Sequence, residues 1–210
     1  MVLAACSRQD KAEKKGPEVI YGDQRLDSLA ALRYKVRNSD NQFVTLETSM
    51  GKMTLELYHD VAPHHADSFA VRASEGFYNQ TIFHRVIKNF MIQGGFVQLM
   101  GREGVEYYLP DEFSTMQHRE GTLSMASPGA PNSSQIQFFI CLSRNSSTAS
   151  LDGRYTIFGH LIKGYDVLHR IAEVPVEPSQ AMGGEKSAPV EQINLIRAYL
   201  SDAEGNPLVS

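Results

Sequence analysis

From Gln42 onward the chain alternates. Phe43-Val44-Thr45-Leu46-Glu47-Thr48 and Lys52-Met53-Thr54-Leu55-Glu56-Leu57-Tyr58 carry apolar side chains at every second position, the period of a strand with one wet face. Ser49-Met50-Gly51 leaves room only for a tight connection between them, which predicts a hairpin. The period then changes. Pro63 suits a first helical turn, where its missing N–H costs nothing, and Ala66, Phe69, Ala70 and Ala73 follow at i, i+3, i+4 and i+7 until Gly76 stops the run. Shorter strand candidates follow at residues 82–86, 90–93, 122–126, 137–142 and 156–159, separated by turn-rich stretches. A second helix is expected over Tyr165 to Ala172 with Val167, Leu168 and Ile171 inward, and a last strand over 193–200. Many short strands with two helices predict a mostly β domain, an antiparallel barrel or sandwich, and not a parallel α/β sheet.

The organisation around this body is simpler. Residues 1–20 read as a flexible tether: Ser7 to Glu18 mixes Arg8, Lys11, Lys14 and Lys15 with Asp10, Glu13 and Glu18 and has no apolar period. Residues 21–41 form an N-terminal extension, with a short helix or a packed loop over 22–37, where Asp23 is placed to cap and Leu26, Leu29, Ala30 and Leu32 recur near helical spacing. The folded domain is expected over 42–201, with a polar tail over 202–210. Leu3-Ala4-Ala5-Cys6 has the L-x-x-C form of a bacterial lipobox and resembles bacterial lipoproteins over those four residues. Only Met1 and Val2 precede it, so export would need a start upstream with a charged and an apolar region. On that reading Cys6 is a lipid attachment site and the protein sits in the bacterial cell envelope, lipid-anchored or periplasmic. If the four residues match by coincidence, it is cytoplasmic.

Composition removes whole classes of function. A net charge of -4 lacks the basic footprint of a nucleic-acid binder. No apolar run approaches the ~18 residues of a membrane span, so the only membrane link expected is the N-terminal lipid. Two distant cysteines make no disulfide framework, and Cys141, within an apolar strand candidate, reads as a buried small hydrophobe. Phosphate-binding, zinc-protease and nucleophile-elbow motifs are missing. His59, His64, His65 and Asp67 lie close in sequence, but His64 and His65 are neighbours at a helix start, point apart and are expected to face solvent. No metal and no cofactor is expected. The sequons at Asn79, Asn132 and Asn145 bear on function only in a eukaryotic secretory chain.

Three runs carry the chemistry. The first is Phe83-His84-Arg85-Val86-Ile87-Lys88-Asn89-Phe90-Met91-Ile92-Gln93-Gly94-Gly95. The second is Met125-Ala126-Ser127, then Pro131-Asn132, then Gln137-Phe138-Phe139-Ile140. The third is Leu151-Asp152-Gly153-Arg154-Tyr155-Thr156-Ile157-Phe158-Gly159. In order and spacing, from about Val44 to Leu200, they resemble the cyclophilin family of peptidyl-prolyl cis-trans isomerases. The resemblance implies a closed antiparallel β-barrel of about eight strands with two flanking helices. It also implies rotation about X-Pro bonds of proline-containing polypeptides during folding, with no covalent intermediate. Arg85 matches the catalytic arginine, the donor to the prolyl nitrogen. Phe90, Met91, Phe139 and Leu151 match the apolar proline pocket. Gln93 and Gln137 match the polar residues beside the arginine. Ala126 and Ser127 match the edge along the peptide, and Tyr155 falls where many members have histidine.

The departures are specific. Ser127 replaces a common asparagine, and Pro128-Gly129-Ala130 holds one extra residue. Phe96 replaces a common aspartate, and the connection 142–149 is longer and polar. Ser150 stands where many members carry the tryptophan that contacts cyclosporin, which implies weak binding of that drug. Two functional classes follow: an active isomerase, or a monomeric module that only holds proline-containing segments. The presence of Arg85 favours the first, since a pure binder has no need of that donor. A hydrolase or metal enzyme has neither a nucleophile–base pair nor a ligand set in its favour.

Overall fold

The computed structural model describes residues 42–95 and 108–208. Cys6, the tether, the extension 21–41 and Phe96 lie outside the described residues. The two alternating runs form β1 (Gln42–Thr48) and β2 (Gly51–Leu57), paired antiparallel with Thr48 opposite Gly51. Gly51 has φ +130, and a Cβ there would stand 2.7 Å from Val167 Cγ2, so the turn requires glycine. Val44 and Leu46 point into the core. Thr45, on the face expected to be wet, is buried too, and its hydroxyl bonds those of Thr54 (3.0 Å) and Ser201 (2.9 Å). The turn at 202–206 covers that face, bringing Gly205 onto the two threonines.

Helix α1 (Pro63–Ser74) buries Ala66, Phe69, Ala70 and Ala73, the stripe expected from the sequence. The Phe69 ring meets Tyr78, Phe138 and Phe158 at centroid separations of 5.0, 5.2 and 5.3 Å, and this aromatic group anchors the core. The expected strand over 82–86 is two: β3 (Thr81–Phe83) pairs with the last strand, and β4 (Arg85–Ile87) pairs with β5 (Met91–Gly94). Between them His84 donates its N–H to Gln93 O at 3.1 Å. β6 (Thr122–Met125), β7 (Phe138–Cys141), β8 (Ile157–Lys163) and the last strand β11 (Ile193–Ser201) complete one sheet. Its order is β3-β11-β1-β2-β8-β6-β7-β5-β4, nine strands, all antiparallel. The two end strands are joined by one residue, so the sheet must roll up into a nearly closed barrel with His84 at its seam.

Helix α2 (Ser146–Ala149) and a separate hairpin of β9 (Val176–Ser179) and β10 (Glu185–Pro189) were not expected, while α3 (Tyr165–Ala172) was. Four helical residues give no period to read. α2 exists because Asn145 accepts from the Ser147 and Thr148 amides (2.8 and 3.1 Å) and the Thr148 side chain caps back.

His65 corrects an expectation. It is fully buried, not solvent-facing. Ala62 at the N-cap offers no side-chain oxygen, so the first amides of α1 need another acceptor. Glu112 supplies it, accepting from the His64 and His65 N–H groups at 3.0 Å each and holding His65 Nδ1 at 2.7 Å. Burial works against this carboxylate, but its bonds from the His65 ring and the two amides outweigh that and keep it below its ordinary range.

Candidate active site

Strand alternation decides which side chains leave the barrel. Val86, Ile92, Ile140 and Leu123 point inward to the main core. Their neighbours Arg85, Met91, Gln93, Phe139 and Cys141 point the other way. Register aligns them: Arg85 stands opposite Gln93, Gln93 opposite Phe139, and Phe139 opposite Ser124, one row across four strands. Met91, Phe139 and Cys141 form a small apolar cluster apart from the barrel core, with Ile87, Phe90, Ala126, Leu151 and Tyr155 packed against it. Burial pushes the Cys141 thiol up to about 12, so it stays a packing group.

Over this cluster opens a cleft of about 450 Å³. It is lined by all ten residues that the sequence motifs single out: Arg85, Phe90, Met91, Gln93, Ala126, Ser127, Gln137, Phe139, Leu151 and Tyr155. Pro128, Ser133, Gln135, Ile136 and Met182 also line it and were not foreseen. The Tyr155 ring stands edge-on to Phe139 at 5.7 Å, closing one wall. Ala126 N–H bonds Gln137 O at 2.8 Å, which ties the edge segment to β7. Ser127 Oγ lies 2.7 Å from Ser133 Oγ and accepts from Gly129 N–H at 3.1 Å, so this serine shapes the enlarged loop. Ser150 is exposed at the end of α2, donating to Ser147 O at 2.7 Å, and does not line the cleft.

The Arg85 side chain is 23% exposed and held on two sides. Nη1 donates to Gln93 Oε1 at 3.2 Å, and Gln93 Nε2 in turn donates to Gln137 Oε1 at 2.9 Å. Nε and Nη2 donate to the two carboxylate oxygens of Glu185 at 2.7 and 2.9 Å. The hydrogen bond from Arg85 holds Glu185 below the usual carboxylate range, although partial burial opposes the shift. Glu185 was missed because it lies 100 residues away, in a hairpin without alternation.

Behind Phe139 stands a second polar group that the sequence reading missed. The His118 ring stacks on Phe139 at 6.0 Å with a 15° interplanar angle. Its Nδ1 lies 2.9 Å from Asp152 Oδ1 and its Nε2 2.9 Å from Ser124 Oγ. Asp152 also accepts from the His118 amide and from Arg144, whose bond holds its carboxyl well below the usual range. Nδ1–H therefore donates to the carboxylate, and Nε2 is left to accept from the Ser124 hydroxyl. Burial lowers the His118 pKa, with Asp152 opposing, and keeps the ring neutral. These atoms match a serine–histidine–aspartate relay, yet Ser124 and His118 have no exposed surface. No substrate reaches that hydroxyl, so the group supports the floor of the cleft and performs no hydrolysis.

The outward-facing cleft on the rolled antiparallel barrel is apolar at its base and carries an arginine at its rim. Comparison with known proteins gives the family. Residues 43–199 match the family described as cyclophilin type peptidyl-prolyl cis-trans isomerase/CLD. Peptidyl-prolyl cis-trans isomerase-like 1 of Neurospora crassa is 41% identical over 160 residues, covering 74% of this chain and 91% of that protein. A peptidyl-prolyl cis-trans isomerase of Acinetobacter baylyi is 38% identical over 164 residues, covering 76% of this chain and 86% of that protein. A cyclophilin-type isomerase of Cryptosporidium parvum has a crystal structure that superposes with a TM-score of 0.68 at 32% identity, over 77% of this chain and 98% of that one. The chain belongs to the cyclophilin-type peptidyl-prolyl cis-trans isomerases. It is an enzyme of that activity, and its substrates are proline-containing polypeptides.

Proposed function

We propose that the cleft isomerises X-Pro bonds by stabilising the twisted imide, with Arg85 as donor to the prolyl nitrogen and Phe90, Met91, Phe139 and Leu151 around the proline ring. The imide barrier is about 20 kcal/mol, a spontaneous rate of roughly 10⁻² per second. Twisting removes the resonance and leaves a lone pair on nitrogen. A fixed donor meets that lone pair only in the twisted state, so its binding is differential. A guanidinium has five N–H groups. Among the described residues three of them are committed in Arg85, to Glu185 and Gln93, and two remain. That uncommitted pair, on an arginine at the rim of an apolar cleft, is the observation that carries the reading. Gln93 and Gln137 orient the arginine and the substrate backbone, and the edge at Ala126 and Ser127 accepts the peptide main chain. The solved structure of the Cryptosporidium parvum relative in the presence of the dipeptide ala-pro supports a proline peptide as occupant.

The test is Arg85→Ala in a peptide isomerisation assay. Loss of one preorganised donor lowers kcat/KM by about 10²–10³, with the fold and most of the affinity for a proline peptide retained. Arg85→Lys is also poor, because a point charge on a flexible stem does not reproduce the planar fork. An Arg85→Ala protein working at the original rate would replace this reading with that of a binding module.

The lipobox at Leu3 to Cys6 and the polar stretch behind it support a lipid tether to a bacterial envelope membrane as the place where this activity is used.

A further inference from the structure

The β9–β10 hairpin packs on β4 and brings one carboxylate to the rim of the cleft. Exposed ion pairs contribute little to stability, and with the Glu185 side chain 37% exposed this one is no stability device. Its geometry is the informative part. Two parallel bonds of 2.7 and 2.9 Å fix the plane of the guanidinium and not merely its position. The Gln93 bond on Nη1, at 3.2 Å and to a neutral amide, is the weaker restraint. Removing Glu185 would leave that one bond on a long, rotatable side chain. It would also leave a net positive charge where the pair is now neutral.

We infer that Glu185 is a positioning residue for isomerisation: its carboxylate grips Nε and Nη2 of Arg85 and aims the two remaining N–H groups at the prolyl nitrogen. This rests on the reading of Arg85 as the donor. The pair trades charge for direction. A neutral, rigid pair offers the twisted imide an oriented donor while holding little ground-state attraction for acidic peptides. The effect therefore falls on turnover and not on binding of an uncharged substrate.

The experiment is a double-mutant cycle on the full chain with an uncharged Ala-Pro peptide, kcat and KM being measured separately and folding checked by circular dichroism. Glu185→Gln keeps the shape and removes the charge. Misaiming a reacting group carries large penalties, and the expected loss is about tenfold in kcat with KM changed less than about twofold. Glu185→Asp, which keeps the carboxylate, should retain more activity than Glu185→Gln. In an Arg85→Ala background Glu185→Gln should change nothing further, since the two residues act as a unit. If Arg85→Ala is slow while Glu185→Gln turns over at the full rate, the positioning role is overturned and the donor reading stands. If Glu185→Gln costs the same factor with and without Arg85, Glu185 acts on the fold and the inference is likewise overturned. If Arg85→Ala is as fast as the parent, the donor reading fails first.

Discussion

Acidification from neutral pH to pH 5 should destabilise this barrel, and His84 should account for a measurable share. The residue sits at the seam between β3 and β4, mostly buried and beside the Arg85 charge. Burial, and then the neighbouring guanidinium, lower its pKa to about 4. An unfolded histidine titrates near 6.5. Between those two values the unfolded chain binds the proton that the folded one refuses, so stability is intact above about pH 6.5 and falls as the pH drops toward 4. Linkage with these two values gives a loss of about 2 kcal/mol at pH 5 and about 3 kcal/mol at pH 4. His118 and His160 are shifted downward too, burial being the first cause in each, and both add in the same direction. Glu112, Asp152 and Glu185 are all held below their ordinary range, so the stability they contribute starts to fall only as the pH nears the ordinary carboxylate range of about 4, which leaves the interval from about pH 6.5 to 5 to the histidines. Against a typical domain stability of about 5–15 kcal/mol the effect is large.

The assay is urea unfolding at about pH 7.5, 6 and 5 on the parent and on His84→Gln, which has no titratable ring. The parent midpoint should fall steadily, and the variant should lose about 2 kcal/mol less between the end points. A parent equally stable at pH 7.5 and 5, or a variant with an undiminished slope, would refute the assignment of a buried neutral imidazole to this seam.

Phe139→Ala removes the floor of the cleft between His118 and Tyr155. The ring is buried with His118 and Tyr155 against it, so the destabilisation should lie in the usual range for such a truncation, about 3–5 kcal/mol, read as a shift in denaturant midpoint. KM should rise and kcat should fall together, unlike the turnover-weighted loss in Arg85→Ala. Cys6→Ser should move the protein from the membrane fraction to the soluble one when it is expressed behind an exported leader. Unchanged fractionation would remove the lipid tether.

What could be read from the sequence divides along a physical line. β1, β2, α1, α3 and β11 are legible because each has one face on the core and one facing away, which writes a period into the chain. β5 and β7, which form the base of the site, are buried along their whole length, so their burial shows no alternation. Which of Phe138 and Phe139 faces the core cannot be told from Phe-Phe-Ile-Cys. There the ordered motifs placed the residues that periodicity could not. Polar residues that leave the solvent are a different case. His65 reads locally as surface, and nothing local marks His118 as buried, since a polar side chain in a short or irregular segment predicts nothing about burial.

Their places follow from requirements elsewhere in the chain. α1 lacks a capping oxygen and recruits Glu112, which takes His65 inside with it. Phe139 needs a flat partner behind it, and His118 can serve only because Ser124 and Asp152 satisfy both its nitrogens. Arg85 projects from a three-residue strand with one neighbour on its own sheet to hold it, so its second restraint must come from outside that sheet. The β9–β10 hairpin brings that restraint. An irregular hairpin with two prolines and almost no core thus gains a reason to exist at this point of the fold, one that no pattern within its own residues could state.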